Sequence, residues 1–155
     1  MLIKDLIEED FVNYKLPSMY IIFPKCNWKC DREAGCAICQ NSALAHEPDI
    51  EIASIELVSR YLRNPITKAI VMAGLEPFDT PQETLELIAE FRKYTDDDIV
   101  LYTGYKEEEL DLNEIKQFKN IIIKFGRFIP NQESRYDEIL GVKLASPNQY
   151  ARRIS

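Results

Sequence analysis

The chain is predicted to be an α/β protein with a parallel sheet curved into a partial, open β/α barrel. Three observations lead there. Four short apolar, β-favouring runs recur along the 155 residues: Ser18 to Phe23, Lys68 to Ala73, Ile99 to Thr103 and Asn120 to Phe125. Stretches with helix signals separate the later runs, and strands alternating with helices argue for parallel pairing. The chain is also too short for a complete eight-fold barrel of about 250 residues. Its length favours a single domain over residues 1–155.

The elements follow in order. Met1 to Leu16 is amphipathic, with Leu2, Ile3, Leu6, Ile7 and Phe11 at mixed spacing. Pro17 and Pro24 bound the first run, which reads as a buried strand. Residues 24–41 follow as a cysteine-bearing loop, and Ser42 to Ile50 reads as irregular. Ser54 can cap a helix to about Leu62, with Ile55, Val58 and Leu62 on one face, and Asn64-Pro65 ends it. After the second strand, Gly74-Leu75-Glu76-Pro77 makes a turn. Thr80-Pro81-Gln82-Glu83 fits a capping box with Pro at the first helical position. Its helix runs to about Tyr94 and buries Leu85, Ile88 and Phe91. Asp96, Asp97 and Asp98 read as a solvated turn before the third strand. Short helices are expected over Lys106 to Leu110 and Asn113 to Phe118, before the fourth strand. Past Gly126 the chain reads as irregular, with a short terminal strand or arm near Val142 to Ala145, and Arg152-Arg153 as a solvated tail.

All four cysteines fall within Cys26 to Cys39. Three residues separate Cys26 from Cys30, five separate Cys30 from Cys36, and two separate Cys36 from Cys39. Thiolates are soft ligands for iron and zinc, and such density points to a metal. A disulfide framework fits poorly, because a chain this long can build a core without staples. A zinc site of all four thiolates is a second reading, but paired-cysteine zinc motifs usually place a dozen or more residues between the pairs. An iron–sulfur cluster is the third, and it suits closely spaced cysteines. In a parallel sheet, ligands collect at the carboxyl ends of the strands. The cysteine loop, Gly74-Leu75-Glu76 and Thr103-Gly104-Tyr105 all fall at such ends, so three unusual stretches converge on one rim.

The stretch from Cys26 to Asn41 resembles the cluster loop of radical S-adenosylmethionine (SAM) enzymes. In that family three thiolates of a C-x3-C-x2-C pattern bind a [4Fe–4S] cluster, leaving the fourth iron for the amino and carboxylate groups of SAM. Cys26-Asn27-Trp28-Lys29-Cys30 and Cys39-Gln40-Asn41 are similar to phrases of the activating proteins of anaerobic ribonucleotide reductase. The pattern departs at Glu33, where the family's third cysteine would stand. The resemblance therefore implies Cys26, Cys30 and Cys39 as ligands if Asp31 to Ile38 is an enlarged loop. With Cys36 in place of Cys30, the set becomes Cys26, Cys36 and Cys39.

Ala73-Gly74-Leu75-Glu76-Pro77 resembles the family's G-G-E-P stretch, with Ala73 in place of the first glycine. That implies SAM contacts from Gly74, where a glycine lets backbone approach a ligand closely, and from Glu76, which could accept from an ammonium group. Thr103-Gly104-Tyr105 resembles a T-G-Y or S-G-Y stretch, implying a Thr103 hydroxyl near the SAM carboxylate or ribose; it also reads as a plain turn. By the same resemblance Ile38 lies beside adenine. Gly126-Arg127-Phe128 and Ser146-Pro147-Asn148-Gln149 resemble later segments, so the likeness extends from Ser18 to Gln149.

The implied activity is reductive cleavage of SAM to methionine and a 5′-deoxyadenosyl radical that abstracts a hydrogen atom. The implied target is a glycine in the large subunit of anaerobic ribonucleotide reductase. An electron donor such as flavodoxin or ferredoxin and an anaerobic setting are implied with it. No side chain stands out as the hydrogen-atom donor. A small radical SAM enzyme for another peptide or small molecule is the alternative within the class, and a non-catalytic four-cysteine zinc module is the alternative outside it. Composition narrows the partners. The net charge of −7 and dispersed basic residues argue against a nucleic-acid surface. No apolar run reaches a membrane span, and the acidic, mixed N-terminus is unlike a signal peptide. A soluble cytoplasmic protein is expected.

Overall fold

The computed structural model describes residues 1–155. A six-stranded sheet forms its centre. In chain order the strands and helices are β1 (Leu2–Ile3), β2 (Asp5–Asp10), β3 (Ser18–Phe23), α1 (Lys29–Ala34), β4 (Ile50–Glu51), α2 (Ser54–Arg63), β5 (Ala69–Gly74), α3 (Pro81–Arg92), β6 (Asp98–Tyr102), β7 (Ile121–Phe125), β8 (Arg135–Asp137), β9 (Val142–Leu144) and β10 (Tyr150–Arg153). The sheet order is β10-β7-β6-β5-β3-β2. The inner four, β3, β5, β6 and β7, pair in parallel. The edge strands β2 and β10 pair antiparallel. The result is a mixed α/β fold with a largely parallel sheet.

Both faces of the inner strands bury apolar side chains, which is why they read as continuous apolar runs rather than alternating ones. Side chains of a strand alternate between faces. Ile21, Ile70, Met72, Ile99, Leu101, Ile121 and Ile123 enter one core with Leu57, Tyr61, Leu87 and Phe91 of α2 and α3. Val71, Ala73, Val100 and Ile122 enter a second with Tyr14, Leu140 and Leu144. Each fully buried Ile, Leu or Phe contributes roughly 1.5–3 kcal/mol of transfer free energy. The second face is only partly covered. Near the carboxyl ends of the strands, Tyr20, Ala73, Tyr102 and Lys124 line a cavity.

The structure corrects several local expectations. The amphipathic N-terminus is extended: β2 pairs with β3, and β1 pairs with β4. In α2 the buried face is Leu57, Val58 and Tyr61, while Ile55 and Leu62 are each 49% exposed. The two faces share Val58, and Tyr61 tips the choice because its hydroxyl donates to Asp97 at 2.5 Å. Pro81 does open α3, but the capping box does not form. Instead the Thr84 hydroxyl donates back to the Pro77 and Thr80 carbonyls at 2.7 and 3.0 Å. Thr84 and Leu87 are buried on α3 beside Ile88 and Phe91, and Leu85 only packs against the core edge.

The two short helices expected before the fourth strand are single 3-10 turns, Glu107–Glu109 and Ile115–Gln117. The aspartate turn is not simply solvated, because Asp97 and Asp98 accept from the buried Tyr61 and Tyr14 hydroxyls. The strand expected near Val142 is β9, paired with β8 in a hairpin. The terminal strand is β10, and Arg152 and Arg153 belong to it, paired with Glu107 and Asp98. No helix is long and apolar enough to cross a membrane.

Candidate functional site

The cysteine loop leaves the sheet at the carboxyl end of β3, and its first turn is anchored by side chains. The Asp79 carboxylate accepts from the Asn27 backbone at 2.6 Å and from the Tyr105 hydroxyl at 2.5 Å. Asn27 Nδ2 donates to the Tyr105 hydroxyl at 2.6 Å. Trp28 adopts a left-handed conformation (φ 59°) and starts the six-residue helix α1. The first part of the enlarged loop Asp31 to Ile38 therefore folds as the rest of α1 and its left-handed cap Gly35. Asp31 closes the far side, with Oδ1 accepting from the backbones of Ile38 and Cys39 at 3.0 and 2.9 Å. Asn41 Nδ2 ties the loop's end to the Gly74 carbonyl at 3.0 Å.

All four cysteines are free thiols. Cys26, Cys30 and Cys39 line one cavity of about 510 Å³, together with Gly74, Glu76 and Thr103. Cys36 is exposed, outside the cavity, with its sulfur 3.8 Å from the Ala34 carbonyl. Each cavity thiol accepts a backbone N–H. Trp28 donates to Cys26 Sγ at 3.2 Å, Phe128 to Cys30 Sγ at 3.3 Å, and Asn41 to Cys39 Sγ at 3.4 Å. Backbone donors of this kind favour the thiolate and tune a cluster's potential. Burial works the other way. It pushes the Cys26 thiol up to about 12 and raises Cys39, with the Glu76 and Asp79 carboxylates adding to the effect at Cys26. A positive metal group reverses that balance, since bound metal deprotonates a coordinating thiol. No group of three or more Cys, His, Asp or Glu side chains is gathered tightly enough to hold a single metal ion. The donor set of three soft thiols, spread around one cavity with an N–H on each, fits a polynuclear iron–sulfur cluster.

The strand ends complete the wall. Gly74 ends β5 with φ 95°, and a Cβ there would come within 2.3 Å of Ile22 Cγ2. A side chain at this position is thus excluded twice, by conformation and by space. Gly104 keeps the approach to Cys30 open, because a Cβ would stand 3.1 Å from its sulfur. Glu76 is 3% exposed, and its carboxylate accepts from Phe78 N–H at 3.1 Å and Gly104 N–H at 2.9 Å. Burial pushes its pKa up to about 7 against those bonds and one with Thr103. Thr103 is buried, and its hydroxyl accepts from the Tyr105 backbone at 3.0 Å. Ile38 is half-buried and is not in the cavity lining. His46, the chain's only histidine, lies on a 3-10 turn away from it.

Sequence reasoning assigned no role to three contributors. Lys124 is a buried amine on the cavity wall, and its signal was a lone lysine in the apolar run Ile121-Ile122-Ile123-Lys124-Phe125. Arg127, 4% exposed, donates to Glu33 at 2.8 Å, to Glu109 at 2.7 Å and to the Gly104 carbonyl. Asp31 had no local signal, because its partners are seven and eight residues away. The segment Ser146 to Gln149 reaches the site: Gln149 is buried, lines the cavity and brackets the turn after β7, with Nε2 3.4 Å from the Gly126 carbonyl.

No curated protein and no solved structure matches the chain. A family does. Residues 18–147, from the start of β3 to beyond β9, match the 4Fe-4S single cluster domain. That span holds the cysteine loop, all four parallel strands and the β8–β9 hairpin. The chain belongs to the 4Fe-4S single cluster domain family and is an iron–sulfur protein.

Proposed function

We propose that this iron–sulfur protein is a radical SAM enzyme with a partial, open β/α barrel. One observation carries the reading. Three thiols, each with a backbone donor, share a cavity with a buried carboxylate at the carboxyl ends of four parallel strands. Cys26, Cys30 and Cys39 would hold the [4Fe–4S] cluster. The rival zinc module needs Cys36 beside the other three, and Cys36 is exposed outside the cavity. When bound and reduced, the cluster supplies one electron to the sulfonium of SAM, giving methionine and a 5′-deoxyadenosyl radical.

The chain's own residues bind and orient SAM. Glu76 accepts from its amino group, and burial makes that charge-assisted bond stronger than one in water. Gly74 lets the backbone reach the ligand, and Thr103 holds Glu76 and faces the carboxylate or ribose. Ile38 is assigned to the adenine by family resemblance alone. Trp28, Phe128 and Leu75 line the cavity and limit water access. In the same reading that radical would take the hydrogen atom of a glycine Cα–H in the large subunit of anaerobic ribonucleotide reductase, leaving 5′-deoxyadenosine and a glycyl radical. A flavodoxin or ferredoxin supplies the electron, and the setting is anaerobic and cytoplasmic.

The test is anaerobic reconstitution with iron and sulfide, then electron paramagnetic resonance of the reduced protein with and without SAM. A [4Fe–4S]⁺ signal that shifts on adding SAM, with 5′-deoxyadenosine formed, is expected. A cluster signal indifferent to SAM would sink the enzymatic reading while leaving the iron–sulfur protein intact. A glycyl radical signal on the reductase subunit tests the target separately.

A further inference from the structure

The hairpin of β8 and β9 stands apart from the main sheet as a two-stranded ribbon. Its tip rests on the connection between β2 and β3. The Lys15 N–H donates to the Leu140 carbonyl at 2.7 Å, and a Cβ on Gly141 would come within 2.6 Å of Lys15 Cβ. Val142 and Leu144 pack on the second core, and Lys143, between them, is exposed. All three line the cavity that holds the thiols. Backbone groups of an antiparallel strand point alternately to its partner and away from it. Ala145 sends its N–H away from β8, to Gln149 Oε1 at 3.1 Å, and Gln149 lies in the cavity wall. Lys143, two residues earlier, turns its N–H and C=O the same way. Neither group is bonded to any part of the chain outside the hairpin.

β9 therefore offers the cavity an open strand edge. A free edge is a template for another extended chain, and main-chain bonds of this kind recognise a polypeptide largely irrespective of its side chains. A two-stranded ribbon is marginal by itself, so a third strand adds to its stability. Another lip of the cavity is apolar. Val12 lines it, and Val12 and its neighbour Phe11, 73% and 63% exposed, are the most exposed large apolar side chains of the chain. The loop that carries them is held in place. The Asp10 carboxylate accepts from the Asn13 N–H at 3.0 Å, and the Asn13 carbonyl accepts from the Tyr102 hydroxyl at 2.5 Å. An open edge and fixed apolar side chains around one cavity suit an extended segment better than a small polar molecule.

We propose that an extended segment of a partner polypeptide docks as a third strand on the free edge of β9 and packs an apolar side chain against Phe11 and Val12. This rests on the reading above in which the target is a polypeptide. The Lys143 N–H and C=O bond the main chain of the segment, which fixes how far each Cα–H reaches into the cavity. Binding then depends on the backbone at Lys143 and not on its side chain, and the apolar lip sets the register.

The probe is the large subunit of anaerobic ribonucleotide reductase, titrated anaerobically against the reconstituted protein with SAM present. Lys143→Ala keeps the backbone donor, and Lys143→Pro removes it. Proline is tolerated on a strand edge whose N–H points outward, so the hairpin should survive. Lys143→Ala should bind within about twofold of wild type, as for a surface substitution. Lys143→Pro should lose about tenfold, the upper range for one hydrogen bond. Val12→Ser should lose about tenfold or more, since it removes an apolar side chain that docking buries. In the wild-type complex, hydrogen exchange of the Lys143 amide should slow about tenfold or more. Equal affinities for Lys143→Ala and Lys143→Pro would overturn the proposal. So would a Lys143 amide that exchanges as fast in the complex as alone, a result that stands even if the proline variant misfolds. A matching loss of SAM affinity in Lys143→Pro, measured without the subunit, would assign the edge to the cofactor and overturn it too. If the subunit does not bind the wild type while SAM is still cleaved, the assigned target fails and the proposal falls with it.

Discussion

Arg127 and Glu33 form an ion pair at 2.8 Å that joins the end of β7 to α1, the helix that carries Cys30. Glu33 stands where the family resemblance would place a third cysteine. The position has become a tether. The same guanidinium reaches Glu109 and the Gly104 carbonyl, and the next residue, Phe128, donates to the Cys30 sulfur. One short segment after β7 therefore fixes both the inserted helix and one candidate ligand.

Removing this tether should loosen the cysteine loop more than the sheet. Arg127→Met should cost about 1–3 kcal/mol in global stability, because the abandoned partners Glu33 and Glu109 can still reach water. Hydrogen exchange of residues 29–41 should accelerate, while β5 and β6 stay protected. Lysine at 127 should not rescue, since one ammonium cannot span three partners set for a planar fork. Equal acceleration across the sheet would show that Arg127 is a general core residue instead.

The thiols themselves are distinguishable. Alanine at Cys26, Cys30 or Cys39 should abolish a stable cluster, whereas Cys36→Ala should retain full iron and sulfide per chain after reconstitution. Iron and sulfide analysis with the visible absorption of the cluster reads the result. Loss of the cluster in Cys36→Ala with retention in Cys30→Ala would select the other triad.

Asp31 closes the loop through two N–H bonds to one oxygen. Asp31→Ala should lower cluster loading and shorten its lifetime under a chelator. The effect on thermal unfolding of the cluster-free protein should be small, about 1 kcal/mol, because the loop contributes no fully buried side chain. A large drop in stability with normal loading would reverse these roles.

Glu76 makes stability depend on pH. Its folded pKa is raised to about 7, so the unfolded chain ionises first as pH rises. The stabilisation is fully present below the unfolded value near 4.5, and it is lost as pH rises through about 7. In cluster-free protein the loss should be on the order of a few kcal/mol. Glu76→Gln should flatten the curve between those limits. Lys124 acts in a separate window: its folded pKa is lowered to about 8, so its contribution to stability rises between about 8 and 10.5. Denaturant titrations across the pH range check both slopes.

The strand runs were legible because local chemistry and global fold agree there. Pro17 and Pro24 bracket β3, and sheets buried on both faces produce unbroken apolar runs. The convergence of Cys26, Cys30, Cys39, Gly74, Glu76 and Thr103 on one rim was legible for a topological reason: parallel strands with helical crossovers bring every loop at the carboxyl ends to the same side. The buried face of α2 was misread because Ile55 and Leu62 outrank Tyr61 in hydropathy. Only the distant Asp97 carboxylate makes Tyr61 a good core residue.

From the sequence alone came the strand positions, their parallel alternation, the dense thiol loop and the acidic turn after β5. Those features are local, and each rests on periodicity, spacing or turn chemistry within a few residues. The tertiary structure alone decided which thiols face one cavity, how the inserted helix is tethered, and that Lys124 is left in that cavity with a single long bond. Each of these joins residues far apart in the chain. A side chain's solvation and its charged neighbours are set only when separate strands and loops are packed against it, so no local pattern could have encoded them.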